Sequence, residues 1–379
     1  MKIAIYVSEL DVKGGTHKQV LRLTQYLVQQ GHKVQLFTPI FNLVKTFPDF
    51  ENIDIVTLYD ERPKSRLSRL FRRLAPILLA FKLTKFDVLN IHDNGGLLFF
   101  FTSWLRKRAR CYVWQINDLH HSFRLGNSAK LSARWHHPIA RLFNQLMARM
   151  VDHITVNVGK NVMRVHQHLG INAELLYCGV DLPTQALNTS LPHMSPFRVL
   201  STGVFFGYRN YERLVEACAI AAAKSRRSVE LTIVGDTRAR PEYAEKIRNL
   251  AISHELPLTV RENISDEELD HEIANCHIFA FINIDQSWGL AVFETAARKR
   301  PVVLSNSVGA AELLNGLPGF QMVDPTSTDQ IAQTLLRFID NPMLCSELGE
   351  AAALTVSGMS WDKMYSSKVE FIFNKYDDN

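Results

Sequence analysis

Residues 1–38, MKIAIYVSELDVKGGTHKQVLRLTQYLVQQGHKVQLFT, decide the fold. Lys2–Val7 is apolar and β-branched, the composition of a strand buried on both faces. Gly14–Gly15 then makes a turn. Val20, Leu23 and Leu27 recur at helical spacing, and Gly31 closes the helix as a C-terminal glycine does. Lys33–Thr38 is a second strand. One strand–turn–helix–strand unit of this kind predicts a parallel βαβ arrangement.

Outward from this unit the same alternation continues. Asp54–Leu58, Asp87–Ile91, Cys111–Ile116 and His153–Asn157 read as strands. After a polar, proline-containing stretch at Pro183–Pro196 the pattern restarts. Phe197–Ser201, Glu230–Val234, Leu258–Arg261, His277–Ile282 and Pro301–Leu304 are predicted strands. Tyr211–Ala223, Glu242–Ser253, Leu290–Lys299 and Ser327–Asp340 are predicted helices. The expectation is an α/β chain of two doubly wound halves, matching the two domains that 379 residues imply. Ligands of such sheets bind beyond the carboxyl ends of the strands, and two facing sheets would leave a cleft between them.

Composition narrows the function. Hydrophobic residues make up 46% and charged residues 21%, with a net charge of +5, a balance that suits anionic ligands or an anionic membrane surface. The five cysteines are scattered and form no C-x-x-C pair, so neither a zinc site nor a disulfide framework is expected. The N-terminal apolar run is too short for a signal peptide, and no run of apolar residues is long enough to span a bilayer. The expected location is cytoplasmic.

Five motifs follow predicted strands. Gly14–Gly15 precedes a helix start, where backbone amides favour an anion, although a plain turn has the same appearance. The G-x-G-x-x-G fingerprint of dinucleotide enzymes is absent. Gln115-Ile-Asn-Asp-Leu-His-His121 places Asn117 and Asp118 to orient hydroxyl groups and His120 or His121 to shuttle a proton; an ordinary Asn-Asp turn is the alternative. Gly203-Val-Phe-Phe-Gly-Tyr-Arg209 sets a cation just before a helix, against the macrodipole unless an anion joins it. Gln286-Ser-Trp-Gly-Leu-Ala-Val-Phe-Glu294 pairs a glycine turn with a helix start, and Glu294 is suited to accept hydrogen bonds from two ribose hydroxyls. Pro301–Glu312 repeats the design, with Glu312 beyond Gly309.

Taken in order, these motifs resemble glycosyltransferase family 4, retaining enzymes of the fold called GT-B. Gly14–Gly15 with Gly31–His32 is similar to that family's "GG…GH-x-V", and Cys178-Gly-Val-Asp181 to its "N-G-V-D". Gly203–Leu214 is similar to "G-R-L-x-x-x-K-G-x-x-x-L", and Val234-Gly-Asp236 to "V-G-x-G". Gln286–Glu294 sits on the E-x(7)-E motif, Pro301–Glu312 is similar to "P-V-I-A-S-…-G-G-x-x-E", and Ser360–Trp361 to "F-S-W". The resemblance implies two facing Rossmann-like domains with a cleft between them. Residues 1–185 form the acceptor side, with a terminal helix, 361–379, crossing back onto it, and residues 195–360 the donor side. It assigns Arg209 to the diphosphate, Glu294 to the ribose, and Leu290 with neighbouring amides to the phosphates. Asn117 takes the place of a histidine that contacts the transferred sugar.

The expected site therefore has a catalytic group of Asn117, Asp118, Gln286 and Arg209. The donor-binding group is Gly14, Gly15, Gly203, Arg209, Gly235, Asp236, Ser287, Trp288, Gly289, Leu290, Glu294 and Glu312. The donor is a UDP- or GDP-sugar, the acceptor a glycan or lipid-linked hydroxyl of cell-surface polysaccharide or glycolipid synthesis. No cofactor, metal or nucleic acid is expected. Two positions depart from the family pattern: Val204 replaces its phosphate-binding arginine and Gln286 its first glutamate. Loss of one such electrostatic contact costs about 3–4 kcal/mol of barrier. A catalytically impaired sugar-nucleotide-binding partner subunit of the same fold is therefore the alternative.

Residues 62–85 carry eight cations and no acid. Leu67, Leu70, Phe71, Leu74, Ile77, Leu78 and Phe81 recur at helical spacing, with Pro76 as a kink point. This reads as a basic amphipathic helix in which Arg66, Arg69, Arg72 and Arg73 meet an anionic membrane, each adding about 1 kcal/mol. A core-packed helix with solvated cations is the other reading.

Overall fold

A computed structural model describes residues 1–62, 66–92, 94–117, 133–183, 196–225, 227–238, 240–366 and 368–369, with backbone alone at 66–73, 94 and 133–137. The chain divides into two compact units. One comprises Met1–Gly179 with Trp361–Asn379, the other Val180–Ser360.

The first unit is built on β1 (Lys2–Tyr6), β2 (Lys33–Phe37), β3 (Ile55–Val56), β4 (Phe86–His92), β5 (Ala109–Ile116), β6 (His153–Val156) and β7 (Glu174–Leu175). They form one parallel sheet in the order β3-β2-β1-β4-β5-β6-β7. The order reverses between β1 and β4, the switch point at which such sheets bind ligands. Helices α1 (Gly15–Gln29), α2 (Arg66–Lys82), α3 (Leu97–Leu105), α4 (Ala133–Met150) and α5 (Gly159–Leu169) connect the strands. Leu79, Phe99, Phe100, Met147 and Val165 of α2 to α5 bury against Ala4, Tyr6, Leu89, Trp114 and Val156 in one core. Alternation along the strands then sends Asn90, His92, Gln115 and Thr155 to the opposite side of the sheet. The terminal helix α13 (Trp361–Ser366) belongs to this unit, its Tyr365 ring 5.6 Å from Tyr26 of α1. The rest of the predicted 361–379 helix lies outside the described residues, apart from Lys368 and Val369.

The second unit holds β8 (Phe197–Thr202), β9 (Val229–Val234), β10 (Leu258–Arg261), β11 (Ile278–Phe281), β12 (Val302–Ser305) and β13 (Phe320–Val323). Its parallel order is β10-β9-β8-β11-β12-β13, reversing between β8 and β11. Its helices are α6 (Tyr211–Lys224), α7 (Pro241–Ser253), α8 (Asp266–Asn275), α9 (Leu290–Ala297), α10 (Ala311–Leu314), α11 (Thr328–Asp340) and α12 (Met343–Val356).

The predicted strands pair as parallel strands within a residue or two of their expected ends, and one loses residues at both. Asp54–Leu58 shortens to Ile55–Val56, because an edge strand with one neighbour, β2, keeps only the residues that neighbour reaches. The helix predicted within 62–85 runs continuously through Pro76.

Candidate active site

The second unit's site grows from two loops that touch. The Gly203 amide donates to Val234 O at 2.8 Å, and the Phe205 amide to Asp236 O at 3.0 Å. A side chain on Gly235 would place its Cβ 1.9 Å from Gly203 O. Gly203 itself has φ +142°, which L side chains avoid, and a Cβ there would lie 2.3 Å from Arg209 Cζ. The glycines thus serve a close approach, and what approaches is the guanidinium of Arg209.

Arg209 ends a short 3-10 turn, Gly207–Arg209. Its Nη1 donates to Gln286 Oε1 at 3.3 Å and to Thr202 O at 3.5 Å. Asn283 Nδ2 donates to the same Gln286 Oε1, which fixes that carboxamide beside the guanidinium. The rings of Tyr208 and Phe281 lie 5.2 and 5.8 Å from Cζ, within cation–π range. Nε is buried without a partner. Every one of these neighbours is neutral, so the cation is held in place and, among the described residues, its charge is not compensated. These loops follow β8 and β11, the two strands of the switch point. Asn210, at φ +60°, fixes the turn by donating from Nδ2 to Ile282 O at 3.2 Å and Pro325 O at 2.7 Å.

The loop before α9 is braced by its neighbour. Gly309 and Ala310 amides donate to Gln286 O and Trp288 O, each at 3.0 Å. Ser287 and Trp288 are buried, and Trp288 stacks on Phe293 at 4.9 Å. Gly289, at φ +109°, precedes Leu290 and no side chain caps the helix, which leaves its first turn suited to an anion. Glu294 is half-buried on α9. Its carbonyl accepts from Arg298 Nη1 at 3.0 Å, and Asp270 holds that arginine at 2.6 Å. Glu312 is exposed on the four-residue α10. The Asp236 carboxylate is turned to Arg238, at 2.9 Å from Nε and 2.8 Å from Nη2, and this contact lowers its pKa. Val204, half-buried beside Gly203, supplies no charge.

In the first unit, Gly14 is extended at φ −159°, a conformation open to any residue, and Gly15 begins α1. Asn117 is held on three sides. Gln115 Nε2 donates to its Oδ1 at 3.1 Å, its Nδ2 donates to Thr16 Oγ1 at 3.4 Å, and Asn161 Nδ2 donates to its carbonyl at 3.2 Å. Thr155 Oγ1 donates in turn to Gln115 Oε1. His92, Gln115 and Thr155 lie in register across β4, β5 and β6. His92 is fully buried with neither ring nitrogen partnered, and burial pushes its pKa down to about 3. His17 of α1 is nearly buried, its Nδ1 unpartnered, and burial lowers its pKa against the pull of Asp11. Asp118, His120 and His121 lie outside the described residues, as do the side chains of Arg66, Arg69, Arg72 and Arg73.

Gly203, Gly235, Arg209 and Gln286 therefore form one cluster, and Ser287–Leu290 continue it. Glu294 and Glu312 stand on the following helices. Gly14, Gly15 and Asn117 belong to the first unit. Sequence reasoning missed Tyr208, Phe281 and Asn283 around the arginine, and Thr16, Thr155 and Asn161 around Asn117. Only Asn283 carried a signal, as a polar residue ending a buried apolar strand.

Two parallel α/β units, the second with glycine loops, a caged arginine and an uncapped helix at its switch point, define a GT-B protein. A family model for glycosyl transferases group 1 matches residues 187–355, and one for Glycosyltransferase Family 4 matches residues 13–183. The chain belongs to the family 4 glycosyltransferases. No curated protein matches it in sequence. Among solved structures it is similar to a sucrose-phosphate synthase from Thermosynechococcus elongatus, at 16% identity, full coverage of both chains and a TM-score of 0.78. It is similar to Anabaena HepE in complex with UDP and glucose, at 14% identity, 98% and 99% coverage and a TM-score of 0.76. WaaG, a glycosyltransferase involved in lipopolysaccharide biosynthesis, aligns at 14% identity, 98% and 99% coverage and a TM-score of 0.72.

Proposed function

We propose that the chain is a retaining hexosyltransferase. It moves a sugar from a UDP- or GDP-sugar to a hydroxyl of a glycan or lipid-linked acceptor in cell-surface polysaccharide or glycolipid synthesis. One observation carries the reading: an arginine caged by neutral groups over a glycine at the switch point, its charge left for a diphosphate. The UDP and glucose named with HepE support the donor class, and the role named for WaaG supports the acceptor class.

Departure of the diphosphate leaves an oxocarbenium-like sugar. Arg209 and the amides at Leu290 stabilise the leaving charge, and they do so without a metal. Glu294 accepts hydrogen bonds from the ribose. Asn117 and Asp118 orient sugar hydroxyls, and the departing phosphate takes the acceptor proton on the same face. Gln286 positions the guanidinium. The protein works at the inner face of the cytoplasmic membrane, to which the Arg66–Arg73 cations of α2 attract it.

A thermal-shift panel of nucleotide sugars, followed by transfer assays with and without a chelator, tests the proposal. A UDP- or GDP-sugar stabilises the chain, Glu294→Ala abolishes the shift, and transfer survives the chelator. A hit whose affinity is indifferent to both Glu294→Ala and Arg209→Ala would end it. Val204 and Gln286 favour one other reading, a sugar-nucleotide-binding partner subunit; donor binding with neither hydrolysis nor transfer selects it.

A further inference from the structure

The helices α2, α3 and α4 are apolar on both sides. Toward the sheet they bury Ala75, Leu79, Phe99, Phe100 and Met147. Away from it, α2 exposes Leu74, Leu78 and Phe81, one stripe at helical spacing, with Phe81 61% accessible. Helix α3 exposes Leu98, Trp104 and Leu105, the last 71% accessible. Helix α4 exposes Ile139, Leu142, Phe143 and Leu146, again one stripe. An ordinary surface helix carries polar residues there.

The three stripes share one side of the unit. All three helices connect strands that advance in the same direction, β3 to β6, and right-handed crossovers put such helices on one face. Contacts join them laterally. Arg106 covers the Phe81 ring at 4.5 Å and donates to Ala80 O at 2.6 Å, and the Phe101 and Phe143 rings are 6.4 Å apart. An exposed apolar area of this extent marks a docking surface.

Charge selects the occupant. Residues 62–150 hold 17 lysines and arginines and 3 acids, and α2, α3 and α4 contain no acid. The remainder of the chain holds 26 cations against 35 acids, so positive charge is segregated onto this segment. Among described residues, Lys82, Lys107, Arg110, Arg141 and Arg149 are exposed, and a lysine or arginine stem can lie along apolar surface while its head reaches an anion.

We propose that α2, α3 and α4 together form a platform that inserts into an anionic lipid bilayer. Leu105, Leu142 and Phe143 enter the acyl boundary and the flanking cations hold the phosphate headgroups. This deepens, and rests on, the reading that the acceptor is membrane-borne. It differs from attraction by α2 alone, because the apolar stripes supply binding that salt does not screen.

Vesicle sedimentation of the full chain, without donor or acceptor, tests it. Vesicles of phosphatidylcholine are compared with vesicles containing about 30 mol% phosphatidylglycerol, at low and high salt. The chain sediments with the anionic vesicles, and part of the binding persists in high salt. Leu142→Glu/Phe143→Glu removes the persistent part, with an affinity loss of about tenfold or more, and Leu105→Glu does so independently. Unchanged nucleotide-sugar thermal shifts show that the variants fold. Absence of anionic-vesicle binding overturns the proposal, as does binding indifferent to these variants. So does light scattering that shows a dimer dissolved by them, which makes the face an interface between copies. Because no turnover is read, a failure here leaves the transfer chemistry standing, and a failure of transfer leaves the sedimentation standing.

Discussion

The carboxyl rims of the two sheets are built alike and charged differently. In the second unit the rim carries a guanidinium whose partners among the described residues are a backbone carbonyl, a carboxamide and two rings, all neutral. In the first unit the rim carries buried Asn90, His92, Gln115, Thr155 and Asn161. The arginine nearby, Arg62, is matched by Asp11 at 2.5 Å and Glu9 at 3.0 Å. Among the described residues, one topology thus yields a rim with an uncompensated guanidinium and a rim whose buried side chains are neutral hydrogen-bonding groups suited to hydroxyls. The difference lies in which loop side chains lack a counter-charge, because both sheets reverse strand order in the same way.

The largest effect should come from removing the uncompensated charge. Arg209→Ala is expected to weaken UDP- or GDP-sugar binding by about a hundredfold, the weight of a charge-assisted hydrogen bond in a partly buried site. Gly203→Ala should lower affinity as well, since its Cβ would occupy the guanidinium's place and φ +142° strains any other residue. Calorimetric titration of both variants checks this. Binding left intact by both would mean that the charged rim is not where the donor sits.

Much of this was legible in the sequence, for a physical reason. Buried parallel strands are continuous apolar runs, so β1, β5, β8 and β9 announce themselves, and the glycines and Arg209 stand out at strand ends. Helix α3 escaped, because Leu97–Leu105 is apolar at nearly every position and has no period to read. Helix α4 escaped with Pro138 inside it. The cage was invisible for another reason. Phe281 reads as core and Tyr208 as loop, and only the meeting of the β8 and β11 ends turns them toward one cation. Likewise, Thr155 and Gln115 are 40 residues apart and meet through strand register.

A second prediction tests the neutrality of the first rim. His92 has a folded pKa of about 3, set by burial, against an ordinary value of 6.5. Between these values the unfolded chain binds a proton that the folded chain refuses. Stability is therefore retained above pH 6.5, falls as pH drops through 6.5, and levels off below about 3. At pH 5 the loss is about 2 kcal/mol. His92→Gln should flatten the fall in thermal midpoint between pH 7 and 5. An equally steep fall in the variant would place the sensitivity elsewhere, and a charged His92 would make the two rims more alike than the geometry indicates.

The smallest change aims to erase the difference at its source. Gln286→Glu sets a carboxylate 3.3 Å from Arg209 Nη1. Arg209 then becomes half of an ion pair, and the second rim approaches the compensated state of Arg62 in the first. Affinity for a bare nucleoside diphosphate should fall about fivefold, since part of the cation's field is now answered internally. Turnover should move the other way, rising about tenfold, because the carboxylate supplies negative charge where the sugar becomes cationic. The two readouts separate the roles. Weaker binding with faster turnover means that glutamine at 286 holds the donor more firmly at the expense of rate. Weaker binding with turnover absent in both forms means that the rim is a binding surface only. If neither moves, the contact between Gln286 and Arg209 has no part in the chemistry, and the contrast between the rims must be explained by Arg209 alone.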